Sequence, residues 1–401
     1  MNDMKSRRSR KVAVLGPIPR DQVVTHAGER FEKYGCVMYT AVALSALLDA
    51  SDTIVPISHV RRRDEGPVKQ ILGSFPNIDT SAITSSADQG DVVELRYVDQ
   101  NRRVERQASF MNPILPADID KVLDADVFVC VPITDYEVGQ PTLRYVKEHT
   151  GATVVLDAHG PTMTLTRSGE RHPRVWADLD VWLPYIDILK MNLDEAGSAW
   201  LGQSAEVTAG QPGLSDEDLR GLAHHCLERG VGAVCVTLDE RGCVAFYRDG
   251  SGGVAGEFVD RIEVERVVDT TGAGDSFAGG LAYGYLVYRD YVVACQYGNA
   301  MGAQRCTGTE LDVYLPREER SGRSARRTAL DRRKNFPEHP RSRSSKLSTL
   351  RRLPGGDDLG GAVDDVVIGQ YLPVGIDHHA GPGGCLAGVL QPMPEPPDVG
   401  L

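Results

Sequence analysis

The chain lacks any long apolar run: no stretch approaches the roughly 18 uninterrupted apolar residues that a membrane helix requires, which excludes a spanning segment of that kind. Paired cysteines are missing too. The eight cysteines, at 36, 130, 226, 235, 243, 295, 306 and 385, form no CxxC pair and fall mostly inside apolar runs. That is the pattern of reduced, buried thiols in a cytosolic protein and indicates neither a disulfide framework nor a zinc site. Nor is there an excess of positive charge. Against 56 Asp and Glu stand 44 Lys and Arg, a formal net charge of −12. Repulsion from phosphates argues against a nucleic-acid or anionic-membrane partner and for small molecules. The start, MNDMKSRRSRK, is basic, yet no apolar h-region or cleavage site precedes the strand-like run Val12 to Leu15. Residues 1–10 therefore read as a disordered arm, and the protein as cytoplasmic.

What is present is enough apolar sequence, in 401 residues, for one α/β core of about 250–300 residues plus an appendage. From Lys11 to Pro316 short apolar, β-branched runs alternate with helical patterns. KVAVLG (11–16), TIVPIS (53–58), ADVFVCVPI (125–133), ATVVLDA (152–158), IDILKMN (186–192) and GAVCVTL (232–238) read as buried strands. Tyr39–Ala50, Gln140–His149, Asp216–Arg229 and Ser276–Tyr288 read as helices. This alternation predicts a mostly parallel sheet with helices on both faces and a ligand at the carboxyl ends of the strands. DVVELRYVDQNRRVERQA (91–108) breaks the rhythm with two alternating runs around Asp99-Gln100-Asn101, an antiparallel hairpin with one wet face that would project as a lid. After Pro316 the composition changes. Residues 317–352 hold thirteen Lys or Arg against four Asp or Glu, and the remainder to 401 is rich in Gly, Pro and Asp. The segment reads as a solvated disordered tail rather than an RNA contact.

The strongest local signal is Val267-Val268-Asp269-Thr270-Thr271-Gly272-Ala273-Gly274-Asp275-Ser276-Phe277-Ala278-Gly279-Gly280. Gly272 and Gly274 permit a tight turn, and the amides of Gly272, Ala273 and Gly274 can converge where the next helix begins, forming an anion hole for a phosphoryl group. Asp275, at the same turn, is poised to take a proton from an attacking hydroxyl. By residue type alone, before any likeness is considered, Asp275 reads first as a helix N-cap.

The run DTTGAGDSFAGG resembles the second signature of the ribokinase/PfkB carbohydrate kinase family, whose last Asp is the catalytic base. The resemblance extends over nearly all of 11–316 and implies a ribokinase-like α/β fold with a small β lid. It also implies an ATP- and Mg2+-dependent transfer of the γ-phosphate to a hydroxyl of a sugar, inositol or nucleoside. By the same likeness Lys190-Met191-Asn192-Leu193-Asp194-Glu195 is similar to the family's Asn-x-x-Glu element, giving Asn192 and Glu195 a magnesium and phosphate role. Asp21, in Gly16-Pro17-Ile18-Pro19-Arg20-Asp21, stands where the family reads substrate hydroxyls, although Asp also suits a turn. The Gly-Pro-Ile-Pro loop is not the G-x-G-x-x-G of dinucleotide dehydrogenases.

Two departures qualify the likeness. Tyr34-Gly35-Cys36-Val37-Met38-Tyr39-Thr40-Ala41 replaces Gly-Gly-x-x-x-Asn-x-Ala, leaving Gly35 and Tyr39 as substrate-side residues with contacts unlike those of a ribokinase. Val236-Thr237-Leu238-Asp239-Glu240-Arg241-Gly242 resembles the family's Thr-x-Gly-x-x-Gly loop with Asp239 for the first Gly, so Thr237 and Gly242 line the expected ATP site. Asn299 stands where relatives approach the adenine, and reads equally as a solvated polar residue. His159, after Asp157, reads as a hydrogen-bonded structural residue rather than a catalytic one. The family also allows a homodimer through the lid. The competing class is a catalytically weak regulatory or interaction protein on the same fold.

Overall fold

The computed structural model describes residues 8–98, 103–201 and 214–314. The expected hairpin tip at Asp99-Gln100-Asn101 and the expected tail 317–401 lie outside them. In chain order the strands are β1 (Lys11–Leu15), β2 (Arg20–Val24), β3 (Arg30–Tyr34), β4 (Thr53–His59), β5 (Ile83–Thr84), β6 (Val92–Tyr97), β7 (Arg103–Ser109) and β8 (Val127–Cys130). They continue as β9 (Thr153–Asp157), β10 (Met163–Leu165), β11 (Arg171–Pro173), β12 (Ile188–Asn192), β13 (Ala233–Thr237), β14 (Gly242–Arg248) and β15 (Val254–Asp260). The helices are α1 (Val37–Leu47), α2 (Arg62–Leu72), α3 (Pro116–Ile119), α4 (Gln140–His149), α5 (Leu179–Trp182), α6 (Leu193–Leu201), α7 (Asp216–Glu228), α8 (Ala273–Tyr288) and α9 (Tyr291–Arg305).

All six apolar runs form strands of one sheet, ordered β15-β14-β13-β12-β9-β8-β1-β4-β5. Pairing is parallel from β13 to β5, while β14 and β15 extend the sheet antiparallel. Side chains alternate faces along a strand. Val12 and Val14 of β1 therefore enter a core with Leu44 of α1, Leu281 of α8 and Met301 of α9. Ala13 and Leu15 enter the opposite core with Val146 of α4, Ala196 of α6 and Leu222 of α7. Burial on both faces is why these strands read as continuous apolar runs rather than as alternation.

The hairpin of 91–108 forms as β6 and β7, but it is half of the lid. The second sheet runs β3-β2-β6-β7, with β2 parallel to β6 and antiparallel to β3. Asp21, expected in a loop, is thus on a lid strand. Of the arm expected to be disordered, residues 8–10 are described, and the Arg10 N–H donates to Asp52 Oδ1 at 2.8 Å, so its end is anchored.

Helix α8 starts three residues earlier than the pattern suggests. Its N-cap is Gly272, left-handed at φ 81°, and Asp275 sits inside the first turn. That settles the N-cap alternative for Asp275. Further along, a Cβ at Gly280 would lie 2.3 Å from the Tyr297 carbonyl oxygen, so only glycine lets α8 and α9 approach this closely.

Candidate active site

Strand register assembles the first part of the site. Lys190 of β12 pairs directly with Asp157 of β9, so both side chains project from the same face at the carboxyl edge of the sheet. Lys190 Nζ lies 2.8 Å from Asp157 Oδ2, with both side chains 5% exposed. Beyond the strand end, Asn192 and Glu195 close a reciprocal turn. The Asn192 N–H donates to Glu195 Oε2 at 2.8 Å, Asn192 Nδ2 to Oε1 at 3.0 Å, and the Glu195 N–H to Asn192 Oδ1 at 2.8 Å. His159 Nδ1 is 3.0 Å from Glu195 Oε1, and Arg171 Nη2 is 3.0 Å from His159 Nε2. A guanidinium can only donate, so Nε2 accepts and Nδ1 carries the proton toward Glu195. Burial opposes charge on Glu195, but Lys190 and the His159 hydrogen bond override it and hold its carboxyl down at about 2. Burial likewise opposes charge on Lys190, and Asp157, Glu195 and Asp275 hold it above its ordinary value.

The glycine turn closes over this cluster. Lys190 Nζ lies 3.2 Å from where a Cβ on Gly274 would stand, so the buried ammonium rests against the turn itself. Of the three amides expected to converge, that of Ala273 is engaged, donating to Thr270 O at 3.1 Å. The Gly274 N–H, in the first helical turn, has no intrahelical acceptor. Asp275 follows. Burial, and then the Asp157 charge, push its carboxyl up to about 6 against the opposing Lys190 ammonium.

On the lid side, Asp21 is buried, and Gly35 makes room for it: a Cβ there would lie 3.2 Å from Asp21 Oδ2. The thiol of Cys36, next in the chain after Gly35, is pushed well up by burial and then by the charges of Asp275 and Asp21. The positive φ of 50° in this segment falls on Cys36 and not on a glycine. Tyr39 does not open into the cleft. It is 3% exposed, and its ring fills the space beneath Gly272, where a Cβ would come within 2.3 Å of Tyr39 Cδ2.

The residues expected around the nucleotide lie at the antiparallel edge. Thr237 ends β13, with Oγ1 3.4 Å from Met191 O. Gly242, at φ 108°, opens β14, and a Cβ there would meet Val259 O at 2.2 Å. Asn299 does not present its amide nitrogen to a ligand. Nδ2 donates to the carbonyls of Val259 at 3.1 Å and Asp260 at 2.9 Å, tying α9 to the end of β15.

Two charged residues of the site carry no motif. Lys190 shows in the sequence only as one of two charges, with Asp187, in the otherwise apolar run IDILKMN. Arg305 ends α9 fully buried, with its guanidinium 4.7 Å above the Tyr39 ring. Nothing near it in sequence announces that. Among the described residues no group of three or more His, Cys, Asp or Glu is placed to hold a metal ion, and no helix is long and apolar enough to cross a membrane.

The description of the pfkB family carbohydrate kinases matches residues 152–316. The 2-dehydro-3-deoxygluconokinase of Bacillus subtilis is 33% identical over 230 residues, which is 49% of this chain and 69% of that protein. Among solved structures, the ribokinase of Arabidopsis thaliana complexed with ribose and ATP superposes with a TM-score of 0.58 at 17% identity, covering 77% of this chain and 96% of that one. A pyrophosphate-dependent kinase in the ribokinase family, complexed with a pyrophosphate analog and myo-inositol, gives 0.57 at 17% identity, covering 74% and 94%. At these identities the two structures establish the fold.

Proposed function

Because the chain belongs to the pfkB family of carbohydrate kinases, we propose that it transfers the terminal phosphoryl group of ATP to a hydroxyl of a sugar or sugar acid, with Asp275 taking the hydroxyl proton. The observation that carries this reading is the Asp275 carboxylate, raised to about 6 in the first turn of a helix whose N-cap is a left-handed glycine. A base with a pKa near working pH is suited to proton transfer, and a helix N-terminus to phosphate.

The step balances simply. The acceptor oxygen bonds to the terminal phosphorus as the bridging P–O bond breaks, ADP departs with the bridging electrons, and the proton passes to Asp275. Lys190, beside Gly274, places a permanent positive charge at the turn, where charge builds on the transferring group. Asp21, on lid strand β2, accepts acceptor hydroxyls, and the lid excludes water that would otherwise compete for the phosphoryl group. Sugar acids head the acceptor class because the curated relative is a 2-dehydro-3-deoxygluconokinase.

Magnesium fits the turn of Asn192 and Glu195 at one remove. Their oxygens already accept hydrogen bonds within the turn, and Glu195 stays anionic. A hydrated Mg2+ typically keeps several waters and takes one or two carboxylates plus donor phosphates. Bound there, it would neutralise charge on the donor phosphates. Thr237 and Gly242 border the nucleotide in this reading, while Asn299 shapes that border through the backbone it holds.

The test is ATP-to-ADP turnover with Mg2+ against sugars, sugar acids, inositols and nucleosides, for wild type and Asp275→Asn together. Acceptor-dependent turnover that falls about 10²–10⁴-fold in the variant, with ATP binding kept, is the expected result. ATP binding without turnover on any acceptor would overturn the reading in favour of a regulatory protein.

A further inference from the structure

We propose that Arg305 is a positioning residue, a built-in cation that holds the anion turn 269–274 in its binding geometry; this rests on the kinase reading above. A guanidinium with 0% exposure is costly to bury unless its donors are met by charge and by hydrogen bonds. Its partners are the turn itself, the ring beneath the turn and the loop that follows α9. Nη2 lies 2.9 Å from Asp269 Oδ2 and 3.5 Å from Thr309 O, and Nη1 donates to Gly308 O. The Asp269 carboxylate then passes the grip onward, since Oδ1 accepts the Thr271 N–H at 2.9 Å. From beneath, the same guanidinium lies over the Tyr39 ring that props Gly272. Arg305 thus holds the turn by its carboxylate on one side and through its aromatic support below. The neighbouring backbone is tied in as well, with the Val268 N–H donating to Cys306 O at 2.7 Å.

Charge gives the arrangement its purpose. A carboxylate three residues before Gly272 would repel an incoming phosphate. Arg305, together with Lys33 of lid strand β3 at 3.3 Å, neutralises Asp269 and lets it serve as a clip. Packing alone does not call for a charge here, and Arg305 Nε is left without a hydrogen-bond partner. An apolar side chain would avoid that desolvation cost.

The experiment uses the full chain with Arg305→Ala and Arg305→Lys, reading two quantities. One is deuterium uptake of a peptide spanning 268–276, which needs no activity. The other is kcat and KM on the acceptor found for wild type. Arg305→Ala should exchange faster in that peptide and lose about 100-fold in kcat, with acceptor KM little changed. Millimolar guanidinium should restore part of the rate, and urea, its neutral isostere, none. Arg305→Lys keeps the charge but lacks the fork, so it should fall between; it also decides the matter if the alanine variant fails to fold. Unchanged exchange and kcat in a folded variant, or equal rescue by urea, would overturn the proposal. Absence of turnover in wild type would sink the kinase reading instead, leaving the exchange measurement to decide the clamp.

Discussion

Lys190 and Asp157 stand directly opposite each other on neighbouring parallel strands, and their side chains meet at 2.8 Å against the backbone of Gly274. The pair thus belongs at once to the core of the sheet and to the glycine turn before α8. Removing one partner from a buried pair typically costs about 3–5 kcal/mol, because the other charge is left uncompensated.

Lys190→Met should therefore lower the melting temperature sharply and abolish turnover, while Lys190→Met/Asp157→Leu should recover much of the stability without recovering turnover. Thermal melts and ADP formation on the two variants check this. Recovered activity in the double variant would show that the ammonium has no part in the chemistry.

Asp275 predicts a pH profile. A base must be ionised to accept a proton, so kcat/KM should fall tenfold per unit below about pH 6, where its carboxyl titrates. The stability effect has the opposite sense. Since the folded value lies above the ordinary 3.8, the folded state holds the proton more tightly. This group's contribution therefore falls as pH rises between those values and stays low above them. Asp275→Asn should melt higher than wild type at pH 7.5, with the gap closing near pH 4. An equal melting temperature at pH 7.5 would contradict the raised value.

Gly272→Ala meets two obstacles together, a φ of 81° and the Tyr39 ring 2.3 Å from the new Cβ. The left-handed conformation alone costs a non-glycine residue about 1–2 kcal/mol. Turnover and melting temperature should both drop. Gly272→Ala/Tyr39→Ala relieves the contact but leaves a cavity where the buried ring stood, so it should regain neither stability nor activity, since the turn loses its support. Differential scanning calorimetry beside the turnover assay separates the two.

The parallel strands were legible because they are buried on both faces and so read as unbroken apolar runs. The glycine turn was legible because tight turns need glycine at fixed places. β2 and β3 were not, since RDQVV and RFEKY carry charge, and the burial of Arg20 and Asp21 is set by the rest of the lid. The pairing of Lys190 with Asp157, 33 residues apart, depends on the register between two strands, and no local pattern encodes it. Arg305 and Asp269, 36 residues apart, meet only because α8 and α9 fold back on each other. Motifs placed the candidate site along the chain; long-range register and helix packing supplied the countercharges.

The lid strand β3 and helix α1 touch the turn across almost the whole domain: Lys33 reaches Asp269 over 236 residues, and Thr40 Oγ1 donates to Asp275 O over 235. Helix α1, nearly all of it buried, takes much of its cover from α8. A ribosome makes α1 early and α8 late, and exposed apolar surface on a nascent chain invites aggregation. Until residue 273 has emerged, α1 has no native partner on that side, so the chain completes its glycine turn and covers this apolar helix in the same late event of its synthesis.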